Sequence, residues 1–345
     1  MPVTLKDIAL ECGLSKSTVS LALSDKPTRV APQTQRRVRE VAERLNYHSN
    51  QLAVGLATKR SKVVGMILGV DDLRNQYISE TFMLISSGLR QMGYTLIYDT
   101  SLDMDNCIDG IARLLSFGIG GLIFGLLEPI TPTPEFIQMI DYVYQTGLPV
   151  VFYSVCTLTK GRGSIVIDID YEHGGYIATK HLTDLGHRCV GCVSGNLDYH
   201  VSADRLNGYK RALSEAGIPF DEELVYEGDY SMQSGYDALP YLLGQNVTAI
   251  FAFNDLMACG IYQAARNYNI NIPHHISIVG FDNTYMNDVL SPPLTSVDIH
   301  AGENCKSIVD DLIEMIQHGV KELKVNQVKP NLIVRSSTRR FLQNQ

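Results

Sequence analysis

From residue 63 onward the chain alternates short apolar runs with amphipathic stretches, and that alternation admits few folds. V-V-G-M-I-L-G-V at 63–70, Y-T-L-I-Y at 94–98, G-L-I-F-G at 121–125 and P-V-V-F-Y at 149–153 form one series, separated by helical patterns such as T-F-M-L-I-S-S-G-L-R-Q-M-G. S-I-V-I-D-I-D at 164–170, C-V-G-C-V-S at 189–194, V-T-A-I-F-A-F at 247–253 and I-S-I-V-G-F at 276–281 form a second. Strands that are apolar throughout, with helices between them, imply a parallel sheet covered on both faces. Two such series predict an α/β protein with two doubly wound lobes. Sheets of this kind hold ligands beyond the carboxyl ends of their strands, so a small molecule is expected between the lobes. Asp71, Asn254, Asp255 and Asp282 all follow strand-like runs and are candidates to meet it.

The first 62 residues differ from the rest. They hold 11 Lys+Arg against 5 Asp+Glu, a net of +6, whereas the remainder carries −14 of the total of −8. A cationic segment on an anionic chain is expected where a polyanion must be met. Thr4 can cap a first helix with Asp7 as its reaching carboxylate, Gly13 can take the positive φ of a turn, and Ser15 can cap a second helix. Ala9 is small where two helices cross and Val19 fills the core between them, which together spell a helix-turn-helix. In S-K-S-T-V-S-L-A-L at 15–23, Val19, Ala22 and Leu23 form the inward stripe and leave Lys16, Ser17, Ser20 and Leu21 facing out. Pro32 opens a third helix with Val38, Val41, Ala42 and Leu45 on its inner face.

Several chemistries lack their motifs. There is no phosphate-binding P-loop, no strand-linked G-x-G-x-x-G, no nucleophile elbow and no set of histidines at zinc spacing. The seven cysteines include C-V-G-C at 189–192, which reads as part of a buried strand, and all are expected to be reduced thiols. No cofactor and no metal are implied. No apolar run approaches the roughly 20 residues that span a bilayer, and the N-terminus lacks a signal pattern. Both point to a cytoplasmic protein without membrane partners.

Head and body together resemble the lactose-repressor (LacI/GalR-type) family of bacterial transcription regulators. The matching stretches are V-T-L-K-D-I-A, S-x-S-T-V-S, V-x-E-V-A-E-R-L-N-Y and L-A-x-x-L-A in the first 57 residues. They continue with K-H-L-T-D-L-G-H-R at 180–188, R-L-N-G-Y at 205–209, F-N-D-L-M-A at 253–258, V-G-F-D at 279–282 and S-P-P-L-T at 291–295. The resemblance implies a non-enzymatic homodimer that binds a pseudo-palindromic operator and a small effector, often a sugar or nucleoside-type metabolite. It also implies lobes resembling type I periplasmic binding proteins, with a DNA-binding head at 1–49 and a hinge helix or linker at 50–61. The N-terminal lobe would be 62–160 plus 291–322 and the C-terminal lobe 161–290 plus 323–340, with crossings near 160, 290 and 322. The tail from Arg335 onward lacks the heptads that tetrameric members add, which favours a dimer.

The same resemblance assigns residues. Lys16, Ser17, Ser20 and Leu21 would lie in the major groove, with Thr4 and Arg29 at phosphates. The segment N-Q-L-A-V-G-L-A at 50–57 would form a helix only on DNA, with Leu56 as a minor-groove wedge, because so short a segment containing Gly55 is marginal alone. Family members usually carry Arg where this chain has Leu21. Leucine cannot pair bidentately with guanine but can touch a thymine methyl, so the operator should differ from the common one. For the effector, Asp170, Arg205, Tyr230, Asn254 and Asp282 fall on positions that hold ligand in relatives, although Asn254 and Asp170 could equally cap the helices that follow them. Two other classes remain. A solute-binding protein would lack the head, and a cleft enzyme would show turnover of its ligand rather than reversible stabilisation.

Overall fold

The computed structural model describes residues 3–24, 29–47, 61–68, 76–100, 104–125, 129–153, 164–319 and 323–341. The proposed wedge Leu56 with the rest of 50–57, as well as Asp71 and Cys156, lie outside them. The chain divides into two compact units, Met1–Ser61 and Lys62–Gln345.

The first unit is a three-helix cluster, α1 (Leu5–Cys12), α2 (Lys16–Ala22) and α3 (Pro32–Arg44). The Asp7 carboxylate accepts from both the backbone N–H and the hydroxyl of Thr4, each at 2.7 Å, which pins the first turn and holds the Asp7 carboxyl below its usual range. Gly13 ends α1 at φ 66°, a left-handed conformation that a side chain would resist. Ser15 then caps α2 by accepting from the Thr18 N–H at 3.1 Å. Ile8, Ala9, Cys12, Val19, Ala22, Val38, Val41 and Ala42 form the buried core, with Leu23 and Leu45 half-buried at its edge.

The second unit contains two six-stranded sheets. The first comprises β1 (Val63–Leu68), β2 (Thr95–Thr100), β3 (Gly121–Gly125), β4 (Val150–Tyr153), β5 (Ser164–Ile169) and β11 (Lys324–Val328), in the order β11-β5-β4-β3-β1-β2. All its pairings are parallel. On β1, Val63 and Ile67 point into one apolar layer while Val64, Met66 and Leu68 point into the other, the period-two signature of a strand buried on both faces. Helices α5 (Met104–Ser116) and α6 (Pro134–Gln145) cover the first layer. Helices α4 (Gln76–Gln91) and α11 (Ala301–His318) cover the second.

The second sheet comprises β6 (Val190–Ser194), β7 (Val225–Glu227), β8 (Ala249–Ala252), β9 (Ser277–Asp282), β10 (Thr295–Asp298) and β12 (Asn331–Ile333), in the order β12-β10-β9-β8-β6-β7. It is parallel except for β12, which runs antiparallel to β10. Around it lie α7 (Tyr171–Asp184), α8 (His200–Glu215), α9 (Met232–Gly244) and α10 (Asp255–Asn267).

The expected lobe boundaries need correction. The run S-I-V-I-D-I-D, placed with the second series from sequence, is β5 of the first sheet and pairs with β4 and β11. The chain therefore crosses between lobes near 170, near 299 and near 329 instead of near 160, 290 and 322. Both sheets demand the same apolar pattern, so pattern alone cannot tell which one a strand joins. T-S-V-D at β10 and K-V-N-Q-V at β11 carry too few apolar residues to read as strands, and β11 is an edge strand whose Lys324 faces solvent.

Candidate functional site

In the head, Lys16, Ser17, Ser20 and Leu21 are all exposed on α2, as are Thr4 and Arg29. Leu21 is 53% exposed, which leaves its apolar surface free for a partner. Buried Val19 and Ala22 on the opposite stripe fix the rotation of the helix and so decide which residues face outward. The Thr4 hydroxyl is already engaged by Asp7, and the Ser17 hydroxyl lies 2.8 Å from that of Ser15.

In the body, four of the five expected effector residues come together at the carboxyl ends of the second sheet. Arg205 lies on α8, 5% exposed. Its guanidinium carbon sits 3.9 Å from the centroid of Phe281, 4.7 Å from Tyr171 and 5.8 Å from Tyr230, so aromatic faces hold the fork flat. Its Nη1 donates to the Tyr230 hydroxyl at 3.2 Å, which also lies 2.6 Å from the Ser202 hydroxyl, while its buried Nε–H has no partner among the described residues. Asp282 ends β9, 8% exposed, and takes φ 106°; Tyr230 takes φ 67°. Both conformations are strained for residues with a side chain, and strain of this kind collects where a ligand is gripped. Burial pushes the Asp282 carboxyl well above the usual carboxylate range, against the opposing pull of Arg205.

Asn254 supports this cluster from behind. Its side-chain oxygen accepts from the Met257 N–H at 2.8 Å, capping α10, and its amide donates to the Tyr230 carbonyl at 3.1 Å. Both ends are thus engaged, and Asn254 positions Tyr230. Asp170 is not joined to the other four. It is exposed and accepts from the His173 N–H at 2.8 Å as the cap of α7.

Sequence reasoning missed the aromatic wall. Tyr153 ends β4, where the strand-end rule could have flagged it, and Tyr171 and Phe281 directly follow and precede two residues that were selected. Tyr77, on the first turn of α4, had no signal. Tyr77 and Tyr153 share a hydroxyl–hydroxyl hydrogen bond, and burial pushes both phenols up, which keeps them neutral. From sequence Asp255 reads only as a strand-end residue. It proves to be a buried hub whose carboxylate accepts from the Thr284 N–H and hydroxyl, the Asn287 amide and the Ser296 hydroxyl, at 2.7 to 3.2 Å. These bonds tie down the loop that follows Asp282.

Two family models match the chain: bacterial regulatory proteins of the lacI family over residues 4–50, and a periplasmic binding protein-like domain over 179–338. Catabolite control protein A of Priestia megaterium is 34% identical over 300 residues, covering 86% of this chain and 87% of that protein. The Lac repressor dimer solved with operator and the anti-inducer ONPF superposes with a TM-score of 0.83 at 27% identity, covering 98% of this chain and all of the other. A LacI-family regulator from Enterococcus faecium, solved with bound ribose, gives 0.70 at 26% identity over 81% of this chain and all of that one. The lacI-family model over the head, together with 34% identity to catabolite control protein A across 86% of the chain, shows that the chain belongs to the LacI family of bacterial regulatory proteins.

Proposed function

We propose that this regulator is a cytoplasmic homodimer whose heads bind a pseudo-palindromic operator and whose cleft binds a neutral polyhydroxy effector, a sugar or related compound. The observation that carries the effector reading is the buried pair Arg205 and Asp282, with the buried Arg205 Nε–H left without a partner among the described residues. A buried donor fork and a buried acceptor are costly unless something bridges them, and adjacent hydroxyls can accept from one and donate to the other. The ribose-bound and operator-bound neighbours support the same assignment. A ligand shifts operator affinity only by its differential affinity for two arrangements of the lobes.

A thermal-shift screen of metabolites with wild type and Arg205→Ala tests this reading, followed by operator binding with each hit. Two charge-assisted hydrogen bonds at roughly 1.5 to 3 kcal/mol each predict that Arg205→Ala weakens effector binding by about 100-fold or more. A compound that stabilises both proteins equally removes Arg205 from the site. One that binds but leaves operator affinity unchanged is not the effector.

The exposed face of α2 is proposed to read base edges, with Thr4 and Arg29 at phosphates. Exchanging Lys16 and Ser17 is expected to change which operator is preferred, each lost base contact costing on the order of 1 to 3 kcal/mol of discrimination. Each phosphate contact, by contrast, steepens the log-log salt dependence by about 0.9 for all sequences alike. Binding titrations on an operator library decide between them: a uniform loss across every sequence would show that Lys16 and Ser17 do not read bases.

A further inference from the structure

We infer that Tyr153, braced by Tyr77, limits the effector to a single ring, an assignment that rests on the effector reading above and deepens it. Tyr153 closes β4 and Tyr77 opens α4, so both belong to the N-terminal lobe, yet both pack against the apolar cluster of the C-terminal lobe. Tyr171 and Phe281, which hold the Arg205 guanidinium, stand at that same cluster. Asp282 and Tyr171 are both electrostatic neighbours of Tyr77 and of Tyr153. The two phenols therefore face the Arg205–Asp282 pair from the other lobe. Their mutual hydrogen bond fixes one ring against the other, and each ring is wedged between lobes, so neither can swing aside without losing buried contacts.

A second interlobe contact bounds the cleft. Pro129, in the loop after β3, forms a backbone bridge with Tyr199, in the loop after β6, and the Ile130 N–H donates to the Asp198 carbonyl at 2.8 Å. With the lobes joined in this way, an effector gripped by Arg205 and Asp282 meets the phenols on its far side. One ring carrying hydroxyls can lie there and use the O–H that the phenol pair leaves free. A second ring linked to it would need the space that Tyr153 fills.

The test compares single-ring sugars with two-ring sugars that contain them, glucose with cellobiose and galactose with lactose, alongside ribose and fructose, by calorimetry on the full-length protein. Wild type is expected to favour single rings by tenfold or more in Kd. Tyr153→Ala is expected to narrow that preference at least tenfold, while Tyr153→Phe, which keeps the ring, retains it. The ligand-free melting temperature and far-UV circular dichroism report whether each variant is intact, and Tyr77→Ala supplies the same opening if Tyr153→Ala does not fold. Equal binding of one- and two-ring sugars by wild type, or an unchanged preference in a folded Tyr153→Ala or Tyr77→Ala protein, overturns the size limit and leaves the effector reading standing. Failure of every sugar to bind wild type overturns the effector reading itself, and the size limit falls with it.

Discussion

Gly208→Val is expected to destabilise the C-terminal lobe severely. Helices α7 and α8 cross so closely that a Cβ at Gly208 would lie 2.0 Å from the Glu172 carbonyl oxygen and 2.5 Å from the Tyr176 nitrogen. Across the same contact, a Cβ at Gly175 would lie 2.2 Å from the Arg205 carbonyl oxygen. Backbone cannot rotate away as a side-chain tip can, so the helices must separate along their shared face. Ordinary overpacking costs about 1 to 3 kcal/mol, and a clash with backbone should exceed roughly 4 kcal/mol, a large part of the 5 to 15 kcal/mol that stabilises a typical domain. At about 2 to 4 °C per kcal/mol for a lobe of this size, the melting temperature should fall by roughly 10 °C or more, if soluble protein is obtained at all. Gly244→Ala, where an added Cβ meets nothing within 4 Å, is the control and should melt with wild type. A Gly208→Val protein that melts within a degree or two of that control would show that the crossing tolerates bulk. The milder Gly208→Ala bears on function, because Arg205 rides on α8 one turn away and would move with it.

Asp255→Ala should be nearly as damaging, whereas Asp255→Asn should be tolerated and should change how stability depends on pH. Alanine strands four donors around a buried hole, and unsatisfied buried groups cost about 1 to 3 kcal/mol each. Asparagine can keep its oxygen toward Thr284 and Asn287 and turn its amide to the Ser296 hydroxyl. Burial pushes the Asp255 carboxyl up to about 6 from an ordinary 3.8, and the four hydrogen bonds only partly offset it. The folded protein therefore holds this proton over a range where the unfolded chain has released it, so the contribution of Asp255 to stability is full below the unfolded pKa and declines as pH rises through the folded one. The change is on the order of 3 kcal/mol between about pH 4 and 6. Melting curves of wild type and Asp255→Asn across that window should diverge as pH rises, with wild type losing ground. Parallel curves would mean that Asp255 does not titrate there.

Much of this architecture was legible in the sequence because its signals are local. Gly13, Ser15 and the stripe of Val19 and Ala22 act within two turns of helix, and each does in the structure what its spacing requires. Continuous apolar runs located eight strands for the same reason. What could not be read was decided across long separations. The membership of β5 depends on partners at 150–153 and 324–328. The companions of Arg205 depend on four elements converging, so Phe281 read as strand and Tyr77 as nothing in particular. Asp170 shows the converse: a residue chosen by motif whose local capping bond accounts for its placement.

The pairing of β5 with β11 joins Ile165 to Lys324, and this bears on the order in which the protein is made. The head has its own core within the first 61 residues and can fold as soon as it leaves the ribosome, since domains fold as units during synthesis. The N-terminal lobe must wait for its last strand, and at 5 to 20 residues per second the interval between making β5 and making β11 is roughly 10 to 30 s. For that interval each nascent chain carries a formed reading head and an incomplete sensor, with one side of β5 open to other strands. A message truncated ahead of Lys324 would make the state permanent: a head able to engage DNA with nothing built to answer the effector.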